Sequence, residues 1–132
     1  MVLPIPEWPR RDPQYRGLFD FTIDPEIITI GAGGYTDVEV LTGPINLIYR
    51  MRVSPTNPVG YSIQIYDRAA RAVDDLIWQK APGAVDYNSV ESEDGVIVAV
   101  DKDKVADAAI HFRFSGTVAE VLTLNLDLLR VL

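Results

Sequence analysis

His111 is the only histidine in the chain, standing between Ile110 and Phe112 in an alternating stretch and sharing a face with Arg113. Acid–base or nucleophilic work at a histidine needs an orienting carboxylate and a nucleophile within hydrogen-bond reach. Neither lies near it in sequence, so it reads as a surface or interface histidine and no triad is expected. Asp101-Lys102-Asp103-Lys104, with Asp107 beyond, has the outline of a calcium loop. The helix-loop-helix calcium motif needs a third oxygen ligand at position five, glycine at six and glutamate at twelve. Position five here is Val105, no glycine follows, and the lysines neutralise the site. A solvated charged turn is the expectation. Glu91, Glu93 and Asp94 could join Asp101 or Asp103 around a hard cation, but nothing in the sequence sets that geometry. No metal or cofactor is expected. Gly31-Ala32-Gly33-Gly34 leads into the alternating stretch Tyr35–Leu41, whereas a phosphate cradle needs a helix N-terminus after it. A flexible hairpin connection is expected instead.

Aromatic and basic residues offer binding rather than catalysis. Trp8, Trp78, Tyr35, Tyr61, Tyr66 and Tyr87 could stack on a sugar, but aromatics are 9% of the chain and Tyr61 and Trp78 can be core by alternation. Core or subunit contact is favoured over a glycan platform. Tyr87, inside a long loop, is the best surface contact among them. The residues expected to bind a partner are Trp8, Arg10, Arg11, Tyr15 and Tyr87.

Composition narrows the classes further. At 132 residues the chain suits one domain, and 48% hydrophobic with 23% charged residues is globular rather than disordered. Absence of cysteine removes disulfides, thiolate nucleophiles and sulfur-bound zinc. A net charge of −7 argues against nucleic acid as a partner. Pro4, Pro6 and Pro9 would break a signal helix, and no apolar run has the length of a membrane span, so no membrane partner is expected. Folding in a cytoplasm is the expectation.

These groups must be positioned by strands. Period-two patterning runs through Leu18–Ile23, Glu26–Ile30, Tyr35–Leu41, Asn46–Val53, Tyr61–Tyr66, Ala72–Lys80, Gly95–Val100, Ala109–Ser115 and Val121–Leu132. Asp24-Pro25 signals a turn, as do Thr42-Gly43-Pro44 and Ser54–Gly60. In Asn46–Val53, Leu47, Tyr49, Met51 and Val53 share one face, opposite Ile48, Arg50 and Arg52. Gly95–Val100 is almost continuously apolar, which predicts a central strand. Ala81–Asp94 reads as a 14-residue loop. The one helical rival, Arg68–Trp78, is too short to compete. About nine short strands at this spacing predict an all-β fold, an antiparallel β-sandwich or jelly-roll-like single domain over residues 18–132.

Residues 1–17 stand apart. Four of the nine prolines fall here, at Pro4, Pro6, Pro9 and Pro13, which excludes a helix or a central strand and predicts an extended arm. Arg10, Arg11 and Arg16 against Glu7 and Asp12 make this arm +1 and leave −8 of the total −7 for the remainder. Val2, Leu3, Ile5, Trp8 and Tyr15 give it apolar groups that a solvated tail would not carry, so it is expected to dock on its own domain or a neighbouring subunit. At the other end Leu128, Leu129, Val131 and Leu132 are apolar on both faces and require covering by a sheet partner, the arm or another protomer.

The arm Met1–Gly17, the hairpin Gly60–Lys80 (GYSIQIYDRAARAVDDLIWQK) and the closing His111–Leu129 (HFRFSGTVAEVLTLNLDLL) together resemble, in outline, small β-sandwich accessory proteins of tailed-phage virions, such as capsid decoration and fibre or tail attachment proteins. The resemblance implies a non-enzymatic virion part acting in many copies, made in the host cytoplasm, with a homo-oligomer or another virion structural protein as partner. Acidity fits a position away from packaged DNA. A carbohydrate-binding module using the loop Ala81–Asp94 is the alternative, and a small enzyme built on paired carboxylates ranks third.

Overall fold

A computed structural model describes residues 18–57, 59–103 and 108–131; the arm, with Trp8, Arg10, Arg11 and Tyr15, lies outside the described residues. Two antiparallel sheets pack face to face, as the alternation predicts. Sheet A takes β1 (Leu18–Thr29), β9 (Val121–Val131), β3 (Ile45–Pro55) and β6 (Tyr87–Asn88) in that order, and β7 (Ile97–Val100) joins β3 beside β6. Sheet B takes β2 (Tyr35–Leu41), β8 (Ala109–Gly116), β4 (Tyr61–Tyr66) and β5 (Leu76–Gly83). Only the β4–β5 and β6–β7 connections stay within a sheet; each of the others crosses from one sheet to the other.

That crossing explains the glycines. The Gly31–Gly34 segment is not the hairpin expected but a corner carrying the chain from β1 in sheet A to β2 in sheet B. Gly34 has φ +83, a conformation that L side chains rarely adopt, and its carbonyl accepts the Gly116 N–H at 3.0 Å. Gly116 forms the opposite corner, where a Cβ would lie 2.5 Å from Oε1 of buried Glu120.

The inward rows are those that simple alternation assigns in β4, β8 and β9. Tyr61, Ile63 and Ile65 meet Ile110, Phe112 and Phe114 in sheet B, facing Leu122, Leu124, Leu126 and Leu128 from sheet A. The Phe112 and Phe114 rings stack with centroids 5.4 Å apart. Such closely packed side chains are worth roughly 3–5 kcal/mol each against alanine.

Four strand expectations change. Asp24-Pro25 is not a turn but lies at a register shift inside the edge strand β1, where proline is tolerated because no second neighbour needs its N–H. A second shift, between Ile48 and Arg50 in β3, moves Ile48 onto the inward face with Met51 and Val53, and turns Leu47 and Tyr49 outward. Gly95–Val100 is not central: β7 pairs with β3 alone, and Val98 is 52% exposed. The loop Ala81–Asp94 is interrupted by β6, while β5 begins at Leu76, after a single 3-10 turn at Val73–Asp75. Nine strands are present among the described residues, but a different nine: two expected strands fuse into β1, and β6 makes up the number.

Candidate functional site

Tyr87, the expected surface contact, is buried at 3% exposure. Its pairing with β3 turns the ring inward against Trp78, centroids 6.2 Å apart, and its hydroxyl donates to Asp94 Oδ2. Burial first, then the Asp94 carboxylate, pushes its hydroxyl far above the usual tyrosine range. Lys80 Nζ holds the other Asp94 oxygen at 3.2 Å. Asp94 is thereby committed to the protein, and no group of three His, Asp or Glu side chains suited to a metal occurs among the described residues. Tyr61 is buried as expected and donates to the Val85 carbonyl at 2.8 Å; burial raises its pKa to about 12. Of the aromatic rings whose burial is described, only Tyr35 is exposed, and the Arg113 guanidinium lies over it at 4.4 Å. A flat pair of open rings for a sugar is absent among the described residues.

The outward face of sheet B carries the polar chemistry. Strand register sets Glu39 opposite His111 and Asp37 opposite Arg113. Contrary to expectation His111 is not at the surface: its side chain is fully buried, with Nδ1 2.9 Å from Glu39 Oε2 and Nε2 3.1 Å from Asp101 Oδ2, the latter poorly aligned for a hydrogen bond. Asp101 likewise is not in a solvated turn but buried at 5% exposure. Burial would raise its pKa, but N–H donation from Ala109 and Asp103 together with His111 outweighs this and holds the carboxyl below the ordinary 3.8. Arg113 grips Asp37 through Nε at 2.7 Å and Nη2 at 3.1 Å, and this lowers the Asp37 pKa against an opposing effect of burial.

A lid of backbone closes this face. The turn after β4 places Arg71 over β2 and β8, with its side chain only 6% exposed. Nε donates to the Phe112 carbonyl at 3.3 Å and Nη1 to Ala69 at 2.9 Å, while Asp37 lies 3.7 Å away. Its φ of 52 places a non-glycine residue in the left-handed region, a conformation sustained by these contacts. Asp103 ties the 101–103 turn to the same lid through Arg68 Nη1 at 3.1 Å and the Ala69 N–H at 2.9 Å. His111 and Asp101 are thus buried beneath these contacts, while the Glu39 carboxylate stays exposed at the edge of the set. Sequence reasoning missed the set because its members are 39, 101 and 111 in the chain, joined only by cross-strand register.

The outward face of sheet A is the reverse. Beyond the β3 register shift, Ile45, Leu47 and Tyr49 alternate outward, and the pairing sets Ile45 opposite Val100 and Leu47 opposite Val98. Ile45 is 46% and Val98 52% exposed, and Val96 continues the row at 37%. These six side chains form an apolar ladder along the β3–β7 edge. Leu129 faces outward beside Leu47 and is fully buried, so the closing strand's second apolar face is partly covered. At the Val96 end the ladder runs into a hollow of about 230 Å³ lined by Tyr49, Val90, Glu93, Gly95 and Val96. No helix among the described residues is long and apolar enough to cross a membrane.

No family model matches the sequence, and no curated protein is similar enough to match it. Among solved structures the chain is similar to one from Bacillus endospore appendages, which form a family of disulfide-linked pili. The identity is 11%, the TM-score 0.52, and the match covers 87% of this chain and 88% of that one. A chain of the virus-like particle of the extra small virus of the giant freshwater prawn Macrobrachium rosenbergii aligns over 86% of this chain and 79% of its own, at 11% identity and a TM-score of 0.40. The first likeness establishes a shared all-β sandwich fold; the second is too distant to carry an argument.

Proposed function

We propose that this protein is a non-enzymatic structural subunit that works in many copies, as an accessory component of a virion surface, in capsid decoration or in tail or fibre attachment. The observation that carries the reading is the outward apolar ladder of β3 and β7. A solitary domain gains nothing by leaving such a strip in water, whereas an assembling one buries it. The strand orders β1-β9-β3-β6 and β2-β8-β4-β5, with successive strands crossing between sheets, support a jelly roll, an architecture common in capsid proteins. The likeness to a pilus-forming chain supports polymeric use of the same fold. These 132 residues contain no cysteine, so they can form no disulfide link between copies. A net charge of −7 suits an outer position away from nucleic acid.

The test is the mass of the full chain in solution by light scattering across a wide concentration range, with electron microscopy of the concentrated sample. Concentration-dependent multimers of regular form are expected. A chain that stays monomeric at millimolar concentration overturns the proposal.

A further inference from the structure

The edges of the two sheets are not alike. An edge strand presents unpaired N–H and C=O groups, and natural proteins blunt such edges with proline, charge, bulges or brevity. β1 carries Pro25 at its register shift. β5 carries Lys80, Pro82 and two register shifts against β4. β2 carries Asp37 and Glu39, and its Val38 carbonyl accepts Arg71 Nη2 at 3.4 Å. β6 has only two residues. β7 has none of the chemical devices. Ile97-Val98-Ala99-Val100 is apolar throughout and pairs with β3 on one side, and among the described residues no strand pairs with the other.

The pairing with β3 fixes which groups the open side presents. The Asp101 N–H donates to the Pro44 carbonyl at 2.8 Å, and the register sets Ala99 opposite Asn46 and Ile97 opposite Ile48. Backbone groups of a strand point alternately to its two sides, so residues 97, 99 and 101 direct theirs to β3, while Val98 and Val100 direct theirs to the open edge. Val96 precedes them in the same series. Lys102 follows, but its N–H is already taken by the Asp67 carbonyl at 2.8 Å. The open stretch is therefore centred on Val98. The same three valines belong to the outward ladder, with Val96 37% and Val98 52% exposed.

A second copy of this stretch is the partner it fits. About a two-fold axis at Val98, an antiparallel neighbour sets Val98 opposite Val98, Val96 opposite Val100, and Ile97 opposite Ala99. The valine pairs are the hydrogen-bonded ones and give about six backbone bonds in all. Branched side chains then meet on the outward side, and large Ile97 lies beside small Ala99 on the inward side. Charge selects the same place. Copies that each carry −7 repel one another in general, yet residues 95–100 hold no charge. Asp101 comes opposite Gly95, and its carboxylate is taken up by the Ala109 N–H and His111. We propose, on the basis of the multi-copy reading above, that two copies pair β7 with β7 about Val98, so that their A sheets become one continuous sheet and their apolar ladders one strip.

The experiment uses the full chain, which has no cysteine of its own. Val98→Cys and Val118→Cys each place one thiol at sites of matched exposure, 52% and 53%, the second in the turn between β8 and β9. A short bifunctional thiol reagent is added at a concentration where the unsubstituted chain associates. Val98→Cys should form covalent dimers at least about tenfold faster than Val118→Cys. Equal rates overturn the site. Val98→Pro removes a donor from the open edge and none from β3, so it should fold like the parent chain and associate about tenfold or more weakly. Ala99→Pro removes a bond to β3 and should lower stability instead. Parent-like association by Val98→Pro overturns the paired edge, and a loss of stability in Val98→Pro as large as in Ala99→Pro overturns the direction assigned to its N–H. Multimers that persist without preferential linking at Val98 defeat this inference and leave the multi-copy reading standing; a chain that stays monomeric at millimolar concentration defeats that reading as well.

Discussion

The two outward faces of the sandwich solve the same problem in opposite ways. On sheet B, polar side chains project from β2 and β8, and the chain closes over them: Arg71 spans the strands, Asp101 backs His111, and Asp103 fastens the turn. Each charge there has its partner within the same molecule. On sheet A, apolar side chains project from β3 and β7, and the described part of the chain leaves much of them open. A finished face needs nothing more, while an open one is where the proposed function places contact between copies. Internal polar satisfaction also costs backbone freedom, visible in the left-handed Arg71.

The strongest way to break this contrast is to unseal sheet B. Arg71→Met keeps the apolar stem and removes the fork, leaving Asp37 and Glu39 without one cation and several carbonyls without a donor. A loss of about 3 kcal/mol is expected in urea unfolding. Arg71→Lys should recover only part of it, because an ammonium cannot reach the same carbonyls as a fork. A fully stable Arg71→Met would mean that the lid is ornamental.

Asp101→Asn is expected to cost less, about 2 kcal/mol, since the amide retains one acceptor for two N–H donors. Its sharper signature is in acid. The folded-state pKa of Asp101 lies below the ordinary 3.8, so the stability it supplies is present above that value and lost as pH falls through the folded pKa. The variant should therefore show a shallower decline of stability below about pH 4 than the parent chain. Parallel acid limbs would show that Asp101 contributes nothing through its charge.

How much of this was legible follows from register. Strict alternation alone assigns the inward rows of β4, β8 and β9, because the extra residue at each register shift lies in the partner strand, β1, β3 or β5. A single register shift defeats the same logic in β3: one residue of slip sends Tyr49 out and Ile48 in, and local sequence does not mark it. Asp24-Pro25 carries turn chemistry that an edge-strand irregularity uses equally well. The apolar run at β7 misled about position, since composition does not tell a strand paired on both sides from one paired on a single side. Glu39, Asp101 and His111 meet only through pairing across the sheets, which no spacing rule exposes.

The core between the two sheets can be probed in alkali. Tyr61 and Tyr87 both have raised pKa values, the former about 12, so the stability from their neutral hydroxyls is complete below the ordinary 10 and falls as pH rises beyond it. Tyr61→Phe should cost about 1 kcal/mol at neutral pH through the lost bond to Val85, and should flatten the decline above pH 10. A decline as steep as in the parent would assign the alkaline loss to other groups.

The smallest effect is the most direct measure of the contrast. Threonine matches valine in shape and strand preference, so Val→Thr isolates the cost of placing a hydroxyl at a site. Val40, on the inward side of sheet B, is 4% exposed, and Val40→Thr should lose about 1–2 kcal/mol. Val98 is 52% exposed, and Val98→Thr should change the stability of dilute, unassembled chain by no more than about 0.5 kcal/mol. The same substitution should weaken association at high concentration, because there the hydroxyl enters a contact between copies. Equal losses at the two positions in dilute solution would mean that the chain already covers its own ladder, and sheet A would then be as finished as sheet B.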